Sequence, residues 1–419
     1  MKTRYLLPTL LIAFCTTVTA QAEHHQGDHH EHSSLSDKLK VSGNFQTRVE
    51  SHSPSSSFGE QEDAAHTRLR FDLDYRHSDV LAFRLSPQAV KYWGEPQTGD
   101  STGDTITGTS GSPRQPEMDF FEAYAKVYFS QQVELSLGRI ALKYGDQKVI
   151  GPLLWAPEGR AFDGAKLRYD LSNKQWIDAF ATKITNSDTR ADAQDDTNFY
   201  GLYSHFSFGT WLNEFDFYLL RQEERSSEVE FNTYGLRLKG GQSFHYLAEV
   251  TAQSGNNSAS QADFDDAIQY DVELGYNLGA SKLRVGYAHA GEDYRQLYPT
   301  AHLFLGIADI FGRRNIDELR AGYNLTLAES FVFDLSYHSF TRVSDESEVF
   351  KLTGAALSGT TASTSDDLGS EIDLLVTWKF HPKSMIQFGA AFYTVGEILE
   401  DTLGDDDVEF YYLSLVSNF

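Results

Sequence analysis

Along nearly the whole chain, stretches of about ten residues recur in which every second side chain is apolar. Leu69, Phe71, Leu73 and Tyr75 form one such stretch, and Ile268, Tyr270, Val272, Leu274 and Tyr276 another. Phe331, Phe333, Leu335 and Tyr337 repeat it, as do Ile386, Phe388, Ala390 and Phe392. A period of two puts alternate side chains on opposite faces of a strand, so each stretch has one apolar and one polar face. The spacing predicts strands near 39–51, 66–76, 80–93, 118–129, 133–140, 162–171, 174–183, 198–208, 211–220, 228–238, 243–253, 267–277, 282–289, 315–325, 331–340, 370–380, 384–396 and 408–419, eighteen in all. Short turns such as 76–79, 130–132, 239–242, 279–281 and 381–383 alternate with much longer connections. A soluble β-sandwich does not need that long and short rhythm. An all-β transmembrane antiparallel up-and-down β-barrel of about eighteen strands does, with short periplasmic turns, long extracellular loops and both termini in the periplasm.

The remaining composition agrees. No segment approaches 18 consecutive apolar residues and the mean hydropathy is −0.41, which excludes a helical membrane protein. Aromatic residues reach 13%, the level that girdles at two membrane interfaces would require. Lys2 and Arg4, the apolar run Tyr5 to Phe14 and the small residues ending at Ala22 form a secretory signal peptide, residues 1–22. Cys15 lies within it, so the exported chain has no cysteine. A His-rich periplasmic tail, 23–38, then precedes the barrel, 39–419. Tyr411, Leu413, Leu415 and Phe419 share one face of a final strand with an aromatic carboxyl terminus, the ending read by the barrel-assembly machinery. The outer membrane, with its lipids and lipopolysaccharide, is the expected location.

The net charge of −25 is unevenly spread. The outer loops 52–65, 94–117, 184–197, 221–228, 254–266, 341–370 and 397–407 hold 28 acidic residues against 6 Lys or Arg, a net −22. The bland reading of that acidity is solubility; calcium bridging to lipopolysaccharide is the other. Two long loops, 141–161 and 290–314, lack the excess and are apolar enough to tuck into the lumen. On the strands, the polar phase places Arg68, Arg70, Arg84, Lys126, Lys166, Arg168, Arg284, Arg320 and Lys379 inside. It also places Asp72, Asp74, Glu122, Glu249, Glu273, Glu318, Asp334 and Asp373 there. Basic rings select anions, while interleaved carboxylates stiffen a wall, and alternation alone leaves both readings open.

Leu137-Gly138-Arg139, Tyr144-Gly145-Asp146-Gln147, Ile150-Gly151-Pro152, Trp155 and Gly159 to Gly164 resemble the diagnostic stretch of the alginate export porin family. Leu297 to His302, Phe304-Leu305-Gly306, Asp309 and Arg313 to Ile316 resemble its second signature. The resemblance implies an eighteen-stranded porin with an arginine-lined constriction for a polyuronate or another anionic solute, lined or gated by these two loops. Arg68, Arg70, Arg139, Lys143, Asp146, Arg160, Arg168, Arg284, Arg313, Arg314 and Arg320 are the pore and substrate-binding candidates. By strand parity Arg139 shares the face of Leu135 and Leu137, and reaches the lumen only if a bulge or the strand end turns it inward.

His24, His25, His29, His30 and His32, with three carboxylates in the same ten residues, make a metal-binding tract by composition, without the spacing of a closed site. No G-x-S-x-G elbow, H-E-x-x-H or P-loop is present, and an isolated luminal His such as His245 or His338 reads as a wall residue, so no enzyme and no cofactor are expected. The leading reading is a passive, anion-preferring porin for an anionic polysaccharide or small acidic solute, with no nucleic-acid partner. The alternatives are a metal-linked porin whose tail binds divalent cations, and a structural or adhesive barrel.

Overall fold

The computed structural model describes residues 38–53, 63–93, 117–184, 197–224, 229–257, 262–263 and 267–419. The leader, the His-rich tail up to residue 37, with its five candidate ligands, and most of five acidic outer loops lie outside the described residues. Eighteen long antiparallel strands close into one barrel. They are β1 (Leu39–His52), β2 (Ala64–Arg76), β3 (Leu81–Tyr92), β4 (Glu117–Tyr128), β5 (Val133–Ile140), β6 (Phe162–Ser172), β7 (Gln175–Ile184), β8 (Thr197–Phe206) and β9 (Glu214–Glu224). The second half comprises β10 (Val229–Gly241), β11 (Phe244–Asn257), β12 (Ile268–Leu278), β13 (Ser281–Ala290), β14 (Ile316–Leu327), β15 (Phe331–Thr341), β16 (Asp367–His381), β17 (Ser384–Val395) and β18 (Val408–Asn418). Each strand pairs with its sequence neighbours, and β18 returns to pair with β1 from Asn44↔Asn418 to His52↔Phe410.

Closure removes every sheet edge, which the membrane demands because an unpaired backbone group in hydrocarbon costs several kcal/mol. The last residue completes the seam. Phe419 exchanges two backbone hydrogen bonds with Gly43, both 3.0 Å, and its ring covers Gly43 so closely that a Cβ there would lie 2.4 Å from it. The apolar phase of the alternation faces outward, as at Val285, Leu319 and Leu413. Phe208 and Trp211 at one turn, and Phe331, Trp378 and Phe380 near another, supply aromatics at the periplasmic end.

Strand existence and phase follow the sequence reading, whereas some ends move. The strand expected at 211–220 is Glu214–Glu224, because 207–213 forms a wider turn through Gly209 at φ 98° and a Phe208 N–H to Leu212 carbonyl bond. Arg221 to Glu224, read as loop, pair with β10. The loop at 397–407 contains a short helix, Glu397–Thr402.

The apolar cores lie inside the barrel, where the two less acidic loops have folded in. Leu142, Tyr144, Val149, Ile150 and Leu297 pack on Phe162, Phe180, Phe199, Tyr203 and Tyr218 of one wall. Tyr294, Leu305, Ile307, Ile310 and Phe311 pack on Phe340, Leu368, Tyr393, Val408 and Phe410 of another. Large buried aromatics each contribute of the order of 2 kcal/mol in removed apolar surface, enough to hold a loop without a disulfide.

Candidate functional site

The two inward loops meet and brace each other across the lumen. Ile150 and Tyr298 form a parallel β-bridge. Gly151 N–H donates to the Tyr298 carbonyl at 2.7 Å, Tyr298 N–H to Val149 at 2.9 Å and Thr300 N–H to Gln147 at 3.0 Å. The Thr300 hydroxyl donates to Gln147 Oε1 at 2.9 Å and accepts from Leu153 N–H at 3.2 Å. Gly151 is required by this approach, since a Cβ there would lie 2.3 Å from Thr300 Oγ1. Trp155 is stacked on His302 at 3.4 Å with the Arg48 guanidinium 3.5 Å over the indole ring, which fastens the crossing to β1. His302 in turn bonds Asp309 at 2.8 Å.

Most basic wall residues are tied into ion ladders. Arg84 contacts Asp72, Asp74 and Glu122; Arg168 contacts Asp178 at 2.6 Å; Arg284 holds Asp334. Arg237, fully buried, donates to Asp146 at 2.7 Å, Glu214 at 2.6 Å and Asp216 at 2.8 Å. Lys239 adds a second bond to Asp146 at 3.0 Å. Burial works to raise the Asp146 carboxyl, but these two cations hold it below the usual carboxylate range. A second knot surrounds Asp271, also fully buried: Lys148 at 2.9 Å, Arg320 at 2.7 Å and Arg313 at 3.2 Å. Burial lowers the Lys148 amine from its ordinary value despite the opposing pull of Asp271.

Among the described residues a cavity lies on each side of the crossing. The inner one, about 740 Å³, is mixed in charge, with Lys148, Lys239, Lys282, Arg284 and Arg320 facing Asp146, Glu273, Glu318, Asp334 and Asp373. The outer one, about 470 Å³, is not. Arg160, Arg295, Arg313, Arg314 and Lys351 line it, and among the described residues Glu224 is the one acidic residue in its lining. Among the described residues Arg160 donates to the Pro299 carbonyl at 3.2 Å and Arg314 to the Glu292 carbonyl at 2.6 Å, and neither has a carboxylate within ion-pair distance. Burial pulls Arg160 down to about 10, which leaves it charged at neutral pH. Arg314 is lowered by burial and by Arg295, and its guanidinium lies 4.0 Å over the Phe350 ring. The hairpin Val349–Phe350 and Ala356–Leu357 supplies the outer wall, hung on the crossing by Gly312 N–H to the Phe350 carbonyl at 3.0 Å.

Of the sequence candidates, Arg160, Arg313 and Arg314 line the outer cavity, and Asp146, Arg284, Arg313 and Arg320 the inner. Arg168 lies on the luminal wall within its ion pair. Arg68 and Arg70 are buried on the luminal wall, where Arg68 donates to the Leu154 and Pro157 carbonyls at 3.3 and 3.2 Å and Arg70 to Gln88 at 2.6 Å. Arg68 thus ties the crossing to the wall, Arg70 stays within the wall against Gln88 and the Phe121 ring, and neither lines either cavity. Lys143 is exposed at the start of its loop and lines neither. Arg139 is not brought to the lumen. The register Leu137↔Ala165, Arg139↔Asp163 and Asp163↔Lys183 runs without a bulge, so Arg139 stays on the outward face with Leu137, paired to Asp163 at 3.2 Å. Lys148, Asp271, Arg237, Arg295 and Lys351 were not singled out. Asp271 and Arg237 had a signal, since each occupies the polar phase of a strand with an outward apolar face.

The family described as alginate export matches residues 37–410. No curated protein is significantly similar in sequence. Among solved structures, Pseudomonas aeruginosa OccK9 (OpdG) aligns with a TM-score of 0.66 at 12% identity over 92% of this chain and 100% of that one. Acinetobacter baumannii OccAB1 aligns at 0.65 and 11% identity over 92% and 100%. Pseudomonas aeruginosa OccK11 (OpdR) aligns at 0.63 and 14% over 92% and 96%. At such identities the likeness speaks for the barrel fold alone.

Proposed function

Because the chain belongs to the alginate export family and is an outer-membrane porin, we propose that it gives passive, anion-preferring passage to a polyuronate such as alginate, or to small acidic solutes, through the outer basic cavity. One observation carries this reading: among the described lining residues, five basic side chains stand against one carboxylate around about 470 Å³, within a protein of net charge −25. Two of those guanidiniums hydrogen-bond to carbonyls and, among the described residues, have no carboxylate within ion-pair distance, though Asp293 and Glu292 act on Arg314 from further off. At an effective dielectric of about 20 a charge pair 4 Å apart interacts by about 4 kcal/mol, so a carboxylate seated here is strongly favoured over a cation. A low-dielectric wall focuses that field, and selection is Coulombic; a channel reading needs no bond-making residue, and we read the protein as a channel rather than an enzyme.

A planar-bilayer recording across a KCl gradient tests the reading. The expected reversal potential is on the anion side, oligouronate is expected to block the chloride current, and the double variant R160Q/R314Q is expected to weaken both. A cation-side reversal potential in the unaltered protein would sink it.

A further inference from the structure

Resting on that reading, we propose that Arg313 is the selectivity gate, the point at which an anion passes between the two cavities by taking the place of Asp271 on its guanidinium. Arg313 is the single residue that lines both cavities. It is 3% exposed, so its side chain fills the partition between them rather than decorating a surface.

The pairing around Asp271 makes the exchange feasible. Removing the one partner of a buried charge costs about 3–5 kcal/mol because the remaining charge is orphaned. Asp271 has three partners, and Arg313 at 3.2 Å is the longest of them. When Arg313 turns to a passing carboxylate, Lys148 at 2.9 Å and Arg320 at 2.7 Å still hold Asp271. Arg320 is itself fixed by Glu318 at 2.9 Å and Glu273 at 3.4 Å, and does not follow.

The backbone beneath the gate is pinned by bonds independent of the Asp271 contact. Arg313 N–H donates to Gln296 Oε1 at 3.0 Å and Gly312 N–H to Phe350. The guanidinium lies 5.3 Å from the Phe304 ring centroid, and Phe304 lines the inner cavity, so the ring face offers the moving cation a resting place on that side. A planar fork suits a carboxylate in two-point contact, which a lysine at this position would not supply.

The test uses the full-length protein in planar bilayers with KCl and with sodium glucuronate as the uronate probe. R313A is expected to raise single-channel conductance at least twofold, as the partition opens, while the reversal potential moves toward zero. R160Q/R314Q is expected to weaken anion preference without any rise in conductance. R313K, which keeps the charge and loses the fork, is expected to keep chloride preference and to lose several-fold in glucuronate current. An anion-preferring protein whose reversal potential and conductance survive R313A overturns the gate alone, and a cation-preferring one overturns the anion reading with it. Should R313A fail to fold, R313K decides, since glucuronate current at the original level overturns the gate.

Discussion

The Asp146 carboxylate should tether the crossing without supporting the barrel, and the structure sets the size of that effect. In D146N, Arg237 keeps Glu214 at 2.6 Å and Asp216 at 2.8 Å, so no buried charge is orphaned. What is lost is the charge on two hydrogen-bonded contacts, Arg237 at 2.7 Å and Lys239 at 3.0 Å, while the amide oxygen can still accept one. Hydrogen bonds to charged groups contribute about 1.5–3 kcal/mol, which puts the weakening of loop docking near 2 kcal/mol, or roughly a 30-fold larger undocked population. In R237M Asp146 and Glu214 retain Lys239, at 3.0 and 3.7 Å, but Asp216, 1% exposed, keeps only Tyr203 at 2.8 Å and His205 at 2.6 Å among the described residues. That loss should be about 3–5 kcal/mol and should fall on the wall itself. Hydrogen exchange separates the two. In D146N the amides of Gly151, Tyr298 and Thr300, which join the loops, should exchange about 30-fold faster. The β9 and β10 amides should be unchanged there and lose protection in R237M. The lowered Asp146 carboxyl stabilises docking at and above the ordinary carboxylate range, and that stabilisation is lost as pH falls through its lowered folded value. The difference in exchange between the original protein and D146N should therefore vanish only in strong acid. Loop amides within threefold of the original in D146N at neutral pH, or a loss of strand protection equal to that of R237M, would refute the reasoning.

Three further outcomes are expected. G43V drives a side chain into the Phe419 ring, so the fraction of refolded barrel scored by heat-modifiable migration should fall at least threefold, and assembly by the barrel-assembly machinery in reconstituted vesicles should slow with it. G306A meets both a φ of 82° and a Cβ 2.4 Å from the Glu371 carboxylate that accepts Ala308 N–H at 2.9 Å; it should loosen residues 305–310 by about 1–2 kcal/mol from the backbone alone, read as faster exchange at Ala308. If the His-rich tail takes up divalent cations, deletion of 23–32 should abolish stoichiometric zinc binding in calorimetry, and unchanged uptake would end the metal-linked reading.

The strands were legible because their signal is local and periodic. Ile268, Tyr270 and Val272 cannot face lipid unless Gln269 and Asp271 face inward, whatever the rest of the chain does. The same parity was right about Arg139, whose place in a family signature pointed to the lumen while its alternation with Leu137 pointed outward. The end of β9 was not legible, since a wide turn through Gly209 and four more paired residues cost no apolar contact that a pattern would register. The inward folding of 141–161 and 290–314 could be anticipated from their missing acidity and their apolar content. Their mutual bridge through Tyr298 could not, because those residues are about 150 apart in sequence.

Period two, the alternation of short and long connections and the aromatic terminus thus determined the barrel, its strand phase and the side of the wall on which each charge lies. They do so because each depends on neighbours one or two residues away. Only the tertiary structure decided which charges cancel. Arg313, Lys148 and Arg320 converge on Asp271, and Arg237 gathers three carboxylates, through a loop crossing the lumen of a closed barrel; among the described residues Arg160 and Arg314 hydrogen-bond to carbonyls instead. Alternation carries the face of a residue but not the distance to its counter-charge, and in a wall of interleaved acids and bases that distance separates a stiffener from a selective pore.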